Sequence, residues 1–143
     1  MSVTEEKQVA CPQCGQEQSI TLWKSLNVAQ NPEEKPRLYN GEINLLVCNK
    51  CGHKSFVPTP LLYHDLDRRI AVQYFPPAYI RRPEFIQQFN RDGSFAPGDA
   101  LQVEVPDYLR QLHIVFNMDE LVTYVIFRDV LAEYHQTGKV MLN

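Results

Sequence analysis

All four cysteines of this chain stand in two short pairs, Cys11-Pro12-Gln13-Cys14-Gly15 and Cys48-Asn49-Lys50-Cys51-Gly52. Two thiolates spaced C-x-x-C can take two corners of a metal tetrahedron, and a second pair completes it. A glycine follows the second cysteine of each pair. A knuckle turns the backbone so that amide N–H groups point at the sulfurs, and glycine takes the positive φ that such a turn needs. Four unrelated buried cysteines would explain neither the repeated spacing nor the repeated glycine. The expectation is that Cys11, Cys14, Cys48 and Cys51 bind one Zn²⁺, with a redox dithiol or an iron-bound form as the alternatives. Four thiolates close the tetrahedron, so the ion should be structural rather than Lewis-acidic. His53 follows the second pair closely enough to stand in for a thiolate.

Thirty-three residues separate Cys14 from Cys48, where a compact zinc ribbon has roughly 15–20. Ile20, Leu22, Lys24, Leu26 and Val28 alternate with Thr21, Trp23, Ser25 and Asn27. That period of two predicts a strand with one buried face. Asn31-Pro32-Glu33-Glu34 reads as a helix start, and Pro36 limits it to a turn or two ending at Asn40-Gly41. Strands are expected over Glu42–Val47, running into the second knuckle, and over Lys54–Val57, leaving it. Residues 1–8 read as a polar, frayed start.

Beyond Pro58-Thr59-Pro60 the character changes. Arg68–Phe75 is expected as a strand, Glu84–Phe89 as a short helix behind Pro83, and Leu101–Val105 as an edge strand. Leu112–Phe116 is a short β-type run. Asn117 then caps a long helix, with Glu120 in the capping-box position and Thr137-Gly138 at its close. Leu121, Val122, Val125, Ile126, Val130, Leu131 and Tyr134 give that helix a broad apolar face. The fold class that follows is α+β: a zinc ribbon on an extended antiparallel β-hairpin, over residues 9–75, plus a mixed α/β C-terminal region, 76–143, with one long helix. The second region either stands alone or packs with the ribbon as one domain.

With 143 residues, 44% hydrophobic and 22% charged, the chain has the make-up of a globular protein. Its formal net charge is −3, and Lys plus Arg number six against six Asp plus Glu up to Pro60, then eight against eleven. Duplex-binding zinc modules carry a basic excess, because neutralising phosphates supplies most of their affinity. A nucleic-acid-binding ribbon is therefore the alternative to a protein-interaction module, not the first reading. No apolar run reaches the ~18 residues of a membrane span. The first residues carry no signal-peptide pattern, so the expected setting is the reducing cytoplasm, where paired cysteines serve as ligands rather than disulfides.

Several segments together resemble the bacterial and archaeal CpXC domain family. They are the Cys-Pro-x-Cys start, Trp23-Lys24-Ser25-Leu26-Asn27, Leu38-Tyr39-Asn40-Gly41-Glu42-Ile43-Asn44, the second knuckle, and Pro58-Thr59-Pro60-Leu61-Leu62-Tyr63-His64-Asp65. The likeness covers about residues 9–75. It departs at Asn49, where that family often has proline. The resemblance implies a zinc-ribbon-like, intracellular prokaryotic protein that binds metal; the family is functionally uncharacterised, so no reaction is implied.

Outside the cysteines, the polar cluster Tyr63–Arg69 stands out. His64 and Asp65 have the makings of an acid/base pair, and Arg68 and Arg69 of an anion holder, against the plainer reading of a surface loop. Trp23, with Tyr39, Tyr74, Phe75 and Tyr79, is a candidate stacking platform, though such aromatics more often belong to a core. The expected binding surface is thus Trp23, Tyr39, His64, Asp65, Arg68 and Arg69. No phosphate-cradling glycine loop, nucleophile elbow or H-E-x-x-H motif is present, so a binding role is expected over an enzymatic one.

Overall fold

The computed structural model describes residues 2–93 and 112–138. The protein is a mixed α/β structure with a five-stranded sheet, a separate two-stranded one and a long C-terminal helix. The large sheet is built from β1 (Val3–Ala10), β2 (Glu17–Asn27), β5 (Leu61–Asp65), β6 (Ile70–Tyr74) and β7 (His113–Val115), side by side in that order. β1 runs antiparallel to β2, and β5 antiparallel to β6. β2 is parallel to β5 and β6 is parallel to β7. The small sheet is the antiparallel hairpin of β3 (Leu45–Val47) and β4 (Lys54–Phe56).

Strand β2 follows the expected alternation, with Leu22 and Leu26 buried and Lys24 exposed and paired with Glu5 at 2.9 Å. The residues expected to fray form β1 instead, in register from Thr4↔Trp23 to Ala10↔Glu17. Only Val9 of that strand is even partly buried. β1 is held by the backbone ladder and by polar cross-strand pairs, such as Ser19 and Thr21 donating to the Glu6 carboxylate. A strand without a buried face shows no apolar alternation, which is why its sequence reads as a tail.

Three other expectations shift. The strand expected from Glu42 begins only at Leu45, because Asn44 is left-handed with φ 58°. Tyr63-His64-Asp65 is not a loop but the end of β5, a nearly all-buried strand beside β6. The helix expected over Glu84–Phe89 is α2, Pro83–Ile86, preceded by a 3-10 turn at Pro77–Arg81. The expected edge strand Leu101–Val105 lies outside the described residues.

Pro32–Glu34 forms a 3-10 turn leading into α1 (Lys35–Tyr39), as the prolines dictate. The last helix, α3 (Met118–Thr137), starts where Asn117 Oδ1 accepts a bond from the Asp119 N–H and stops at Gly138, φ 73°. It lies against β6, β7 and α1. Leu121 and Val125 enter the core with Leu26, Leu38, Ile43, Leu61, Tyr63 and Val72. The rest of the expected apolar face divides: Val122 packs against that core and Val130 is half-buried, whereas Ile126, Leu131 and Tyr134 are exposed, with Phe127 beside them. A second cluster, Phe75, Tyr79, Phe85, Phe89 and Phe116, packs edge to face around α2.

Candidate metal centre

Each cysteine pair sits at the turn of its own hairpin, the first between β1 and β2 and the second between β3 and β4. The two knuckles repeat one another bond for bond. In the first, Cys11 N donates to Gln16 O at 2.8 Å and Gly15 N to Cys11 O at 2.9 Å. In the second, Cys48 N donates to His53 O at 2.9 Å and Gly52 N to Cys48 O at 2.9 Å. Gly15 and Gly52 hold φ of 78° and 76°, the left-handed turn anticipated from the sequence. Gln13 N points at Cys11 Sγ at 3.4 Å and Cys51 N at Cys48 Sγ at 3.5 Å.

The two tips meet. Cys11 Sγ lies 3.7 Å from Cys51 Sγ, and Cys14 Sγ lies 3.6 Å from Cys48 Sγ. All four sulfurs fall within 4.8 Å of one another, so the cysteines are positioned to bind a metal ion. Cys11 and Cys48 are buried, whereas Cys14 and Cys51 face outward, and all four are free thiols. The Cys51 backbone N–H, helped by that of Lys50, holds the Cys48 thiol down to about 6. The Cys14 backbone does the same in direction for Cys11. Cys51 behaves oppositely. Its bond with the His53 backbone pulls it down, but desolvation and the three neighbouring thiols push it up to about 12. Crowded thiols resist ionising together, and a cation between them removes that resistance.

Two side-chain amides bind the hairpins to each other. Gln18, on β2, donates to Val47 O at 3.0 Å and accepts from Asn49 N at 2.9 Å. Asn44 accepts from Trp23 N at 2.7 Å and donates back to Trp23 O at 3.0 Å, as a ladder residue would. Nothing in the sequence marks either amide, because Gln and Asn are ordinary in such places.

The expected surface residues part company. Tyr39, Asp65 and Arg68 converge with Lys35, Tyr63 and Asp129 in a second polar hub. The Lys35 ammonium lies 2.9 Å from Asp129 Oδ2 and 3.8 Å from Asp65 Oδ2, and donates to the Tyr63 hydroxyl at 2.8 Å. Tyr39 donates to the same Asp129 oxygen, and Arg68 Nε lies 3.3 Å from the other. Asp65 Oδ1 also accepts from the N–H groups of Asp67 and Arg68, at 3.0 and 3.3 Å. Desolvation first, then the Asp129 carboxylate, raises both tyrosines above their ordinary range. Two cations balance two carboxylates, so the hub joins α1, β5 and α3 as a structural lock.

The remaining candidates lie elsewhere. His64 is buried at 3% exposure, and its carbonyl accepts from Val28 N. With Asp65 at 6%, neither faces solvent as the loop reading required. Trp23 is half-buried against the core, Tyr74 is inside it, and Phe75 and Tyr79 belong to the α2 cluster. No common stacking platform forms from them. Arg69 is exposed and stands outside the hub, lining a separate cleft with His113, Tyr124 and Arg128. Sequence reasoning missed Asp129, yet a signal existed. It stands four residues after Val125 and eight after Leu121, and a carboxylate in line with a buried stripe requires a buried partner.

The family described as CpXC protein matches residues 9–133. The chain belongs to the CpXC family. The match runs well past residue 75, so this CpXC protein carries both knuckles and every hub residue inside the matched span. No curated protein and no solved structure matches it. Among the described residues, no helix is long and apolar enough to cross a membrane.

Proposed function

We propose that Cys11, Cys14, Cys48 and Cys51 hold one structural Zn²⁺, and that the protein is an intracellular interaction module whose partner is a protein. The observation that carries the metal reading is the sulfur geometry. Zn–S bonds of about 2.3 Å place tetrahedral sulfurs about 3.8 Å apart, and the cross-knuckle separations are 3.7 and 3.6 Å. Four thiolates leave the ion no open position, so its contribution is to hold the hairpin tips together as a zinc ribbon. The ribbon residues 9–75 and the region 76–143 fold as one unit in this reading, supported by β6 pairing with β7 and by the hub reaching α3.

With the cysteines committed to structure, the working surface lies elsewhere. Ile126, Phe127, Leu131 and Tyr134 leave an apolar stripe exposed along α3, at 38%, 55%, 37% and 48%. Such a patch on a chain of net charge −3 suits a protein partner better than a phosphate backbone. The test is affinity capture from native cells, with and without nuclease, using the natural chain and Phe127→Glu. A protein retained after nuclease and lost with Phe127→Glu supports the reading; recovery of nucleic acid alone overturns it. Elemental analysis should find about one zinc per chain, and iron in its place would replace the metal assignment.

A further inference from the structure

Adjacent arginines at the β5–β6 turn have opposite fates. Arg68 is bound to Asp129. Arg69 instead lines a cleft of about 330 Å³ together with Ile70, Ala71, Leu112, His113, Tyr124 and Arg128. Among the described residues, no carboxylate lines this cleft and neither Arg69 nor Arg128 has an acidic partner. Two guanidinium groups and an imidazole thus line one concavity of a chain whose net charge is −3. Chance placement of solvated arginines scatters them over a surface; here they share a wall.

The cleft is also held in shape. His113 stacks flat on Tyr124, with ring centroids 4.0 Å apart and planes within 9°. Arg128 Nη1 donates to the Tyr124 hydroxyl at 2.9 Å, which fixes its guanidinium beside the stack. Arg69 sits at φ 54°, a left-handed conformation that glycine or asparagine adopts at lower cost. Strained backbone positions cluster at binding sites, and this one carries a guanidinium that lines the cleft. A second cleft of about 490 Å³ shares His113 and Tyr124 with the first and is lined further by Val115, Thr123 and Phe127, with Asp119 and Glu120 also on its wall.

We propose that these joined clefts bind a phosphate monoester carried on an apolar or aromatic body. Arg69 and Arg128 grip the phosphate, and the body lies past the His113–Tyr124 stack against Val115 and Phe127. Planar guanidinium forks match the oxygens of a phosphate, and two of them suit its double charge better than the single charge of a carboxylate. The site is separate in role from the metal and from the hub, and it shares Phe127 with the exposed stripe of α3.

Phenyl phosphate is the probe, measured by titration calorimetry on the zinc-loaded chain at low salt, with inorganic phosphate and benzoate beside it. Phenyl phosphate should saturate with a dissociation constant of about 10 µM to 1 mM and bind more tightly than either control. Arg128→Gln should weaken it about tenfold or more, the loss expected for a charge-assisted fork. Arg69→Gly separates binding from folding. It relieves the left-handed strain, so its melting temperature should hold or rise while affinity falls about tenfold. Phe127→Ala should weaken phenyl phosphate and leave inorganic phosphate unchanged. A short peptide bearing phosphotyrosine, binding more tightly than phenyl phosphate, would assign the phosphate to a protein side chain rather than a free metabolite. The proposal is overturned by absence of saturable binding, by benzoate binding best, or by Arg69→Gly and Arg128→Gln both keeping the affinity of the natural chain.

Discussion

The cysteine cluster joins two hairpin tips, and the hub around Asp129 joins α1, β5 and α3, reaching partners ninety positions apart in the chain. Both lock distant segments, but with opposite materials. The cysteine end brings four thiols to one point, where the neighbours push the Cys51 thiol up, and the proposed cation would remove that opposition. The hub brings two cations, two carboxylates and two phenols, and neutralises itself. One lock depends on what the surroundings supply. The other is complete in the chain.

The sharpest break of that comparison is to remove the ion proposed for the cysteines. Structural zinc is worth an apparent 10–16 kcal/mol or so in isolated zinc-finger peptides, so its loss dominates every other change. Cys11→Ser or Cys48→Ser, the buried ligands, should take zinc from about one per chain to none. Hydrogen exchange should then show β3–β4 and the knuckle ends of β1 and β2 unprotected, while β5, β6 and α3 stay protected. A metal-free chain with full protection at both hairpins, its thiols in disulfides, would refute the assignment.

Removing the hub's centre is the counterpart. Asp129→Ala leaves Lys35 and Arg68 largely buried without their shared carboxylate and should cost about 3 kcal/mol, read as a shift in the urea midpoint. Zinc content should not change. Asp129→Asn should cost less, because it keeps an acceptor for Tyr39 while losing the charge. A hub variant that released zinc would mean that the two locks are coupled and the contrast drawn above is wrong.

The hub also has a pH signature of its own, on the alkaline side. Tyr39 and Tyr63 are raised above the ordinary value of 10.0. A tyrosine raised on folding binds its proton more tightly in the native state, so its stabilising effect is complete below pH 10 and is lost as the pH climbs toward the folded value. Stability should therefore fall from about pH 10 upward, and tyrosinate absorbance should rise together with unfolding. Tyr63→Phe should remove part of that alkaline slope. An unchanged slope would place these hydroxyls outside the hub's energetics.

How far each lock can be read in the sequence follows from its chemistry. A four-thiolate site sets its cysteines in close pairs, and cysteine is rare enough for that spacing to stand out. Gly15 and Gly52 reinforce it, because only their positive φ closes the turn. The strand β2 and helix α3 are legible for a related reason: burial on one face imposes a period. The hub obeys no spacing rule. Lys35, Tyr63 and Asp129 meet only through the fold that brings α1, β5 and α3 together, and no local pattern encodes that meeting. β1 is hidden differently, since a strand exposed on both faces leaves no apolar trace.

The smallest expected effect tests whether the two knuckles are as alike in energy as in geometry. Gly15→Ala and Gly52→Ala each place a Cβ on a left-handed residue, and neither new atom meets anything within 4 Å. The cost is thus backbone strain alone, about 1 kcal/mol, or several-fold in zinc affinity measured against a competing chelator. Matched hydrogen bonds predict equal losses. The second knuckle, however, has an extra brace, since Gln18 on β2 accepts from Asn49 N, inside its turn. That brace holds the turn in place when Gly52 is strained, so Gly52→Ala should be the milder of the two. Adding Gln18→Ala should erase the difference. If Gly52→Ala is instead the more damaging change, then Gln18 does not steady the second knuckle, and the likeness of the two turns ends at their geometry.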